Sequence, residues 1–108
     1  MTFRRAASLN DVWQGEMIGV RLDGQAVLLI DAGNGICAYR DRCAHKGLPL
    51  SQGRLRGNVL ACAAHGWEYD ARTGRGINPA SVALAPLEVK VEGDDILVDV
   101  PDGGALGL

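Results

Sequence analysis

The chain has 108 residues, a formal net charge of −2, fifteen glycines and only five aromatic residues. That length bounds it to one small domain, residues 1–108, with room for one core but marginal without a metal staple. Many glycines with few aromatics exclude a helical bundle and point to a loop-rich β protein.

Ser8-Leu9-Asn10-Asp11 has the form of a capping box and predicts one helical turn over 9–13, with Trp13 closing onto the core. Residues 16–22 and 25–31 are β-prone runs joined by Asp23-Gly24, a two-residue hairpin signal. Asn34-Gly35 turns the chain into a third strand at about 36–40. A short strand is expected near 53–55, a turn at Gly57-Asn58, then a strand 59–61 and another at 67–70. Ala71–Gly74 reads as a turn and 76–79 as irregular chain; 87–92 and 95–100 form a last hairpin around Gly93-Asp94, and the tail from Pro101 is expected to fray. Short strands separated by glycine turns make an all-β antiparallel sandwich or small barrel.

Two short pairs carry the chemistry. Cys43-Ala44-His45 and Cys62-Ala63-Ala64-His65 each offer one thiolate and one imidazole, with sixteen residues between His45 and Cys62. Gly47 follows the first pair and Gly66-Trp67 the second, and glycine there lets the backbone wrap closely. Two thiolates and two imidazoles can hold a [2Fe-2S] cluster in which histidines replace cysteines on one iron. The same four groups could bind zinc tetrahedrally, although Cys-x-His is short for the common zinc hairpins. With these cysteines committed, only Cys37 remains, in the apolar run Ile36–Tyr39, where a small buried hydrophobe is expected.

Charge is unevenly spread. Residues 36–79 hold seven basic and three acidic side chains, a net of +4, whereas residues 80–108 hold one basic and six acidic, a net of −5. A basic rim around a metal site, with Arg42 and Lys46 beside the ligands, would steer an acidic partner. The acidic chain carries no nucleic-acid-binding motif. Its basic N-terminus is followed by no apolar run fit for a signal peptide, and no stretch approaches the roughly 18 apolar residues of a membrane span. A cytoplasmic protein without membrane contact is expected, and a monomer.

The run Cys62-Ala63-Ala64-His65-Gly66-Trp67-Glu68-Tyr69-Asp70 resembles the Cys-x-x-His-Gly-Trp-x-Tyr/Phe-Asp run of oxygenase-type Rieske domains. Asp11–Met17, Thr73–Pro79 and the overall length are similar to the ferredoxin component of bacterial toluene monooxygenases. The resemblance implies a three-layer all-β fold with a small cluster-binding subdomain at about 41–70. It implies one Rieske [2Fe-2S] cluster held by Cys43, His45, Cys62 and His65. Lys46, Gly47, Gly66, Trp67 and Tyr69 would lie around that cluster or on the docking face, with Trp67 either a lid beside the cluster or a core side chain where a strand begins. The role implied is one-electron transfer from an NADH-dependent flavin and iron–sulfur reductase to a di-iron hydroxylase acting on aromatic hydrocarbons.

Where quinol-oxidising Rieske proteins carry disulfide cysteines, this chain has Leu48 and Ala64, and where they place a serine it has Trp67. Fewer hydrogen bonds to sulfur put the expected potential in the lower part of the range of about −150 to +300 mV. No histidine remains for a mononuclear iron site, so catalysis is expected on another protein. The alternatives are the ferredoxin of a ring-hydroxylating dioxygenase system and, in a different class, a zinc-stabilised interaction module or a redox sensor.

Overall fold

Four consecutive apolar residues, Val27-Leu28-Leu29-Ile30, are all fully buried. A strand points successive side chains to opposite faces, so a strand apolar at every position must be covered on both. The computed structural model, which describes residues 3–22, 24–33, 35–42, 49–63, 66–78 and 80–100, shows both covers. The strands are β1 Phe3–Ser8, β2 Glu16–Leu22, β3 Gln25–Asp31, β4 Ile36–Arg40, β5 Arg54–Arg56, β6 Val59–Ala61, β7 Glu68–Asp70, β8 Gly76–Asn78, β9 Pro86–Leu87, β10 Val89–Glu92 and β11 Asp95–Asp99. They form three antiparallel sheets in the orders β1-β11-β10, β2-β3-β4-β9 and β5-β6-β7-β8.

The middle sheet separates two cores. Val27, Leu29 and Ala38 pack with Ala7, Val12, Ile96 and Val98. Leu28, Ile30 and Tyr39 face the other way, onto Leu50, Leu60, Cys62, Tyr69 and Leu84. Each fully buried Leu, Ile or Val contributes on the order of 1.5–3 kcal/mol relative to exposure. Residues 41–70 thus send Leu50, Leu60 and Tyr69 fully into a core.

Most predicted strands lie within a residue of their expected positions, and the two-residue hairpin between β2 and β3 pairs Leu22 with Gln25. The helical turn is shorter than expected, a 3-10 turn at Leu9–Asp11 closed by the Ser8–Asp11 capping box. Val12 leaves it in extended conformation, at φ −131° and ψ 102°. Val12 therefore turns inward and its neighbour outward: Trp13 is 65% exposed rather than closing onto the core. Its indole N–H donates to the Asn10 carbonyl at 2.8 Å. Gly76–Asn78 is strand β8, not irregular chain; a register shift against β7 hides its alternation from the sequence. Pro86–Leu87 pairs separately with β4, at the sheet's edge where a missing N–H is tolerated. The tail from Pro101 lies outside the described residues.

Tyr39 ties the middle sheet to the turn after β7, its hydroxyl donating to the Ala71 carbonyl at 3.0 Å. Burial pushes its pKa well above the ordinary 10.0. The folded state then holds this proton more tightly than the unfolded one, so its contribution is full below pH ~10 and is lost as pH rises further. Tyr39→Phe is expected to cost about 1 kcal/mol at neutral pH and to flatten the alkaline fall in melting temperature, measured by melts from about pH 8 to about pH 11. Cys37 is half-buried rather than buried, its thiol 3.8 Å from the Arg72 carbonyl, and burial raises its pKa.

Candidate metal centre

The alternation of β6 fixes the direction of Cys62. Leu60 and Cys62 are two residues apart and share the inward face; both belong to the core cluster, with Leu60 fully buried and Cys62 4% exposed. Directly after β6 the backbone folds back on itself. The Cys62 N–H donates to the Trp67 carbonyl at 2.7 Å and the Gly66 N–H to the Cys62 carbonyl at 3.1 Å. Gly66 makes this turn at φ +69°, the left-handed region that favours glycine. The segment carrying His65 is thereby pinched shut at its base.

The segment carrying Cys43 and His45 is closed by different means. Asp41, 8% exposed, accepts the Ser51 N–H at 2.8 Å and the Ser51 hydroxyl at 2.6 Å. One carboxylate thus ties the chain entering the segment to the chain leaving it, while fully buried Leu50 anchors the exit. The two bases are adjacent, since Arg54 pairs with Ala61 across β5 and β6. At Gly53 the approach is closest: an added Cβ would sit 2.0 Å from the Ala61 carbonyl oxygen.

Removal of the Asp41 carboxylate orphans the Ser51 donors, and hydrogen bonds to a charged group are each worth about 1.5–3 kcal/mol. At about 4–8 °C per kcal/mol, Asp41→Ala is therefore expected to lower the melting temperature by about 6–24 °C for each of the two bonds that water does not replace. Asp41→Asn should recover part of that loss, and an unchanged melt for Asp41→Ala would refute the role.

Of the residues expected at the site, Cys62, Gly66, Trp67 and Tyr69 are brought together around one loop base. Trp67 is half-buried against the inner core, and Tyr69 is fully buried in the same cluster as Cys62. Cys43, His45, Lys46, Gly47 and His65 lie outside the described residues, as do Leu48 and Ala64. Among the described residues the basic side chains of 36–79 do not gather at one place. Arg72 donates to the Ala32 carbonyl at 3.1 Å, and with Arg75 it follows β7 at the end away from Cys62. Arg42 is exposed beside the first loop base, and Arg54 and Arg56 are exposed on β5. The Asp41–Ser51 pair and the close approach at Gly53 escaped sequence reasoning. The first pair lies ten positions apart, and no local pattern marks either feature.

A thiol and an imidazole on each of two segments whose bases are pinned side by side suit a binuclear iron–sulfur centre, with the thiol of Cys62 already turned inward. The donor set thus fits such a cluster, and the architecture is that of an iron–sulfur electron carrier. The profile of the Rieske [2Fe-2S] domain matches residues 3–91. The ferredoxin component of the alkene monooxygenase system of Xanthobacter autotrophicus is 37% identical over 92 residues, covering 84% of this chain and 75% of that protein. The ferredoxin component of biphenyl 2,3-dioxygenase of Rhodococcus jostii is 35% identical over 104 residues, covering 95% and 97%. Among solved structures, a complex of reduced oxygenase and oxidised ferredoxin in carbazole 1,9a-dioxygenase matches with a TM-score of 0.80 and 28% identity, over 89% of this chain and 91% of that one. The chain belongs to the Rieske [2Fe-2S] domain family. It carries one Rieske-type [2Fe-2S] cluster, not zinc, and is an electron-transfer protein rather than a catalyst. Among the described residues no helix is long and apolar enough to cross a membrane.

Proposed function

We propose that this protein takes electrons singly from an NADH-dependent flavin and iron–sulfur reductase and delivers them to the hydroxylase of a di-iron monooxygenase of the aromatic, toluene type. The observation that carries the reading is the pair of adjacent loop bases, one fixed by Asp41 and Ser51 and the other by the turn from Cys62 to Trp67. In it, Cys43 and Cys62 bind one iron and His45 and His65 the other, within a cluster-holding unit at about 41–70 of a single domain. The bound cluster supplies a one-electron couple at a potential set partly by its imidazole ligands. The protein's part is to orient the ligands and to keep the sulfur of Cys62 among apolar side chains. It works in the cytoplasm as a monomer.

Similarity to the alkene monooxygenase ferredoxin supports the monooxygenase partner. The second reading is a ring-hydroxylating dioxygenase partner, favoured by the near full-length likeness to the biphenyl dioxygenase ferredoxin. Reconstitution with an NADH-dependent reductase and either a toluene-monooxygenase hydroxylase or a biphenyl-dioxygenase oxygenase separates them. The first reading expects NADH-driven hydroxylation of toluene only when this protein is present. Turnover confined to the dioxygenase mixture would select the second, and turnover in neither would reject both.

A further inference from the structure

The face of β5, β6 and β7 opposite the core carries a feature that electron transfer as such does not use. Leu55, Leu60 and Tyr69 point inward, so the rows Arg54–Ala61–Glu68 and Arg56–Val59–Asp70 point outward. Between them runs a groove of about 420 Å³ lined by Arg54, Arg56, Val59, Ala61, Gly66 and Glu68. Its floor is small and apolar, and Gly66 brings it to the base of the second loop, one residue after His65.

The arginines on this face are unpaired, while β7 brings Glu68 and Asp70 to the side of the face away from β5. Among the described residues neither the Arg54 nor the Arg56 guanidinium has an ion-pair or hydrogen-bond partner, although Glu68 lines the same groove. Asp70 is engaged otherwise, accepting the Arg72 N–H at 2.9 Å. Two residues apart on one strand, the arginines stand about 7 Å from each other, which is also the same-face repeat of any extended chain. Carboxylates on alternate residues of an extended segment therefore match both at once. Guanidinium groups pair with carboxylates bidentately, which adds register to attraction.

We propose that this groove seats an acidic, extended segment of the oxygenase component, with alternate carboxylates on Arg54 and Arg56 and a small apolar residue on Val59 and Ala61. The proposal rests on the electron-delivery reading above and names the contact surface for it. The seat reaches Gly66 at the base of the second ligand segment, so a segment held there lies next to that base.

The test uses the cluster-loaded protein, reduced and mixed in stopped flow with the oxygenase component that supports turnover. The double variant Arg54→Glu with Arg56→Glu is expected to slow oxidation at low salt by about tenfold or more, with the gap closing as salt rises and the cluster's spectrum and potential unchanged. Arg75→Glu, exposed beyond β7, is expected to change the rate less than about twofold. Wild-type rates in the double variant, or an equal loss in Arg75→Glu, would overturn the proposal. So would slowed reduction by the reductase with normal delivery to the oxygenase. A wild-type dimer dissolved by the double variant would put a second copy in the groove and overturn it too. If no oxygenase accepts electrons, the delivery reading fails by itself, and the groove is tested with hexaglutamate peptide. Amide shifts at Val59, Ala61 and Gly66 in the wild type, absent in the double variant, would uphold an acid-binding groove; none in the wild type would overturn it.

Discussion

Gly53→Ala is expected to cost this protein its cluster, or to leave it loaded only at low temperature. The new methyl carbon would lie 2.0 Å from the Ala61 carbonyl oxygen and 3.2 Å from that of Leu50. Both are backbone atoms, so no side chain can rotate away and the strands must separate. Overpacking that forces backbone shifts costs about 1–3 kcal/mol and sometimes more. At about 4–8 °C per kcal/mol, the melting temperature falls by about 4–24 °C. The displacement also lands on the ligand, because Ala61 directly precedes Cys62 and its partner strand leads back to the first loop base. Thermal melts with the paramagnetic resonance of the reduced protein give both readouts. Gln52→Ala, next door but exposed, should match the wild type. A Gly53→Ala protein with the native melt and full Rieske signal would show that the two bases need not touch.

Local features were legible in the chain and distant ones were not. Asp23-Gly24 and Asn34-Gly35 mark the turns that bound β3, because such turns demand residue types found almost nowhere else. The unbroken run Val27–Ile30 is buried because β3 is covered on both faces, whereas the three layers were implied by the Rieske resemblance and not by that run. Trp13 misled because size suggested burial, whereas the end of the 3-10 turn decides which of Val12 and Trp13 faces inward. At the metal centre, the spacing of Cys62 and His65 carries the donor types, since few other chemistries need them there. The features that bring the two segments together, Asp41 with Ser51 and Gly53 with Ala61, join residues eight to ten positions apart. Such contacts depend on how β5 folds onto β6 and leave no periodicity to read.

The second large effect is expected at Cys62. Cys62→Ser should abolish the Rieske resonance and the visible colour, because a serine hydroxyl is a far poorer iron ligand than a thiolate at neutral pH. The protein should nevertheless remain folded. Leu50, Leu60 and Tyr69 stay fully buried against Leu28 and Ile30, so the sheet of β5 to β8 keeps its cover without iron. The loss is expected to be local, because metal binding and the ordering of the segments that carry the ligands are linked. Hydrogen exchange can locate it. The amides of Ser51, Cys62 and Gly66 are each held by one bond at a loop base, whereas the amides of β3 lie between β2 and β4. In Cys62→Ser, or in the wild type after iron removal, protection at those three amides should fall by at least about tenfold, while β3 exchanges as before. Equal protection with and without the cluster would mean that the loop bases are set by the β scaffold alone. Loss of protection throughout β3 would mean that the cluster is part of the global fold.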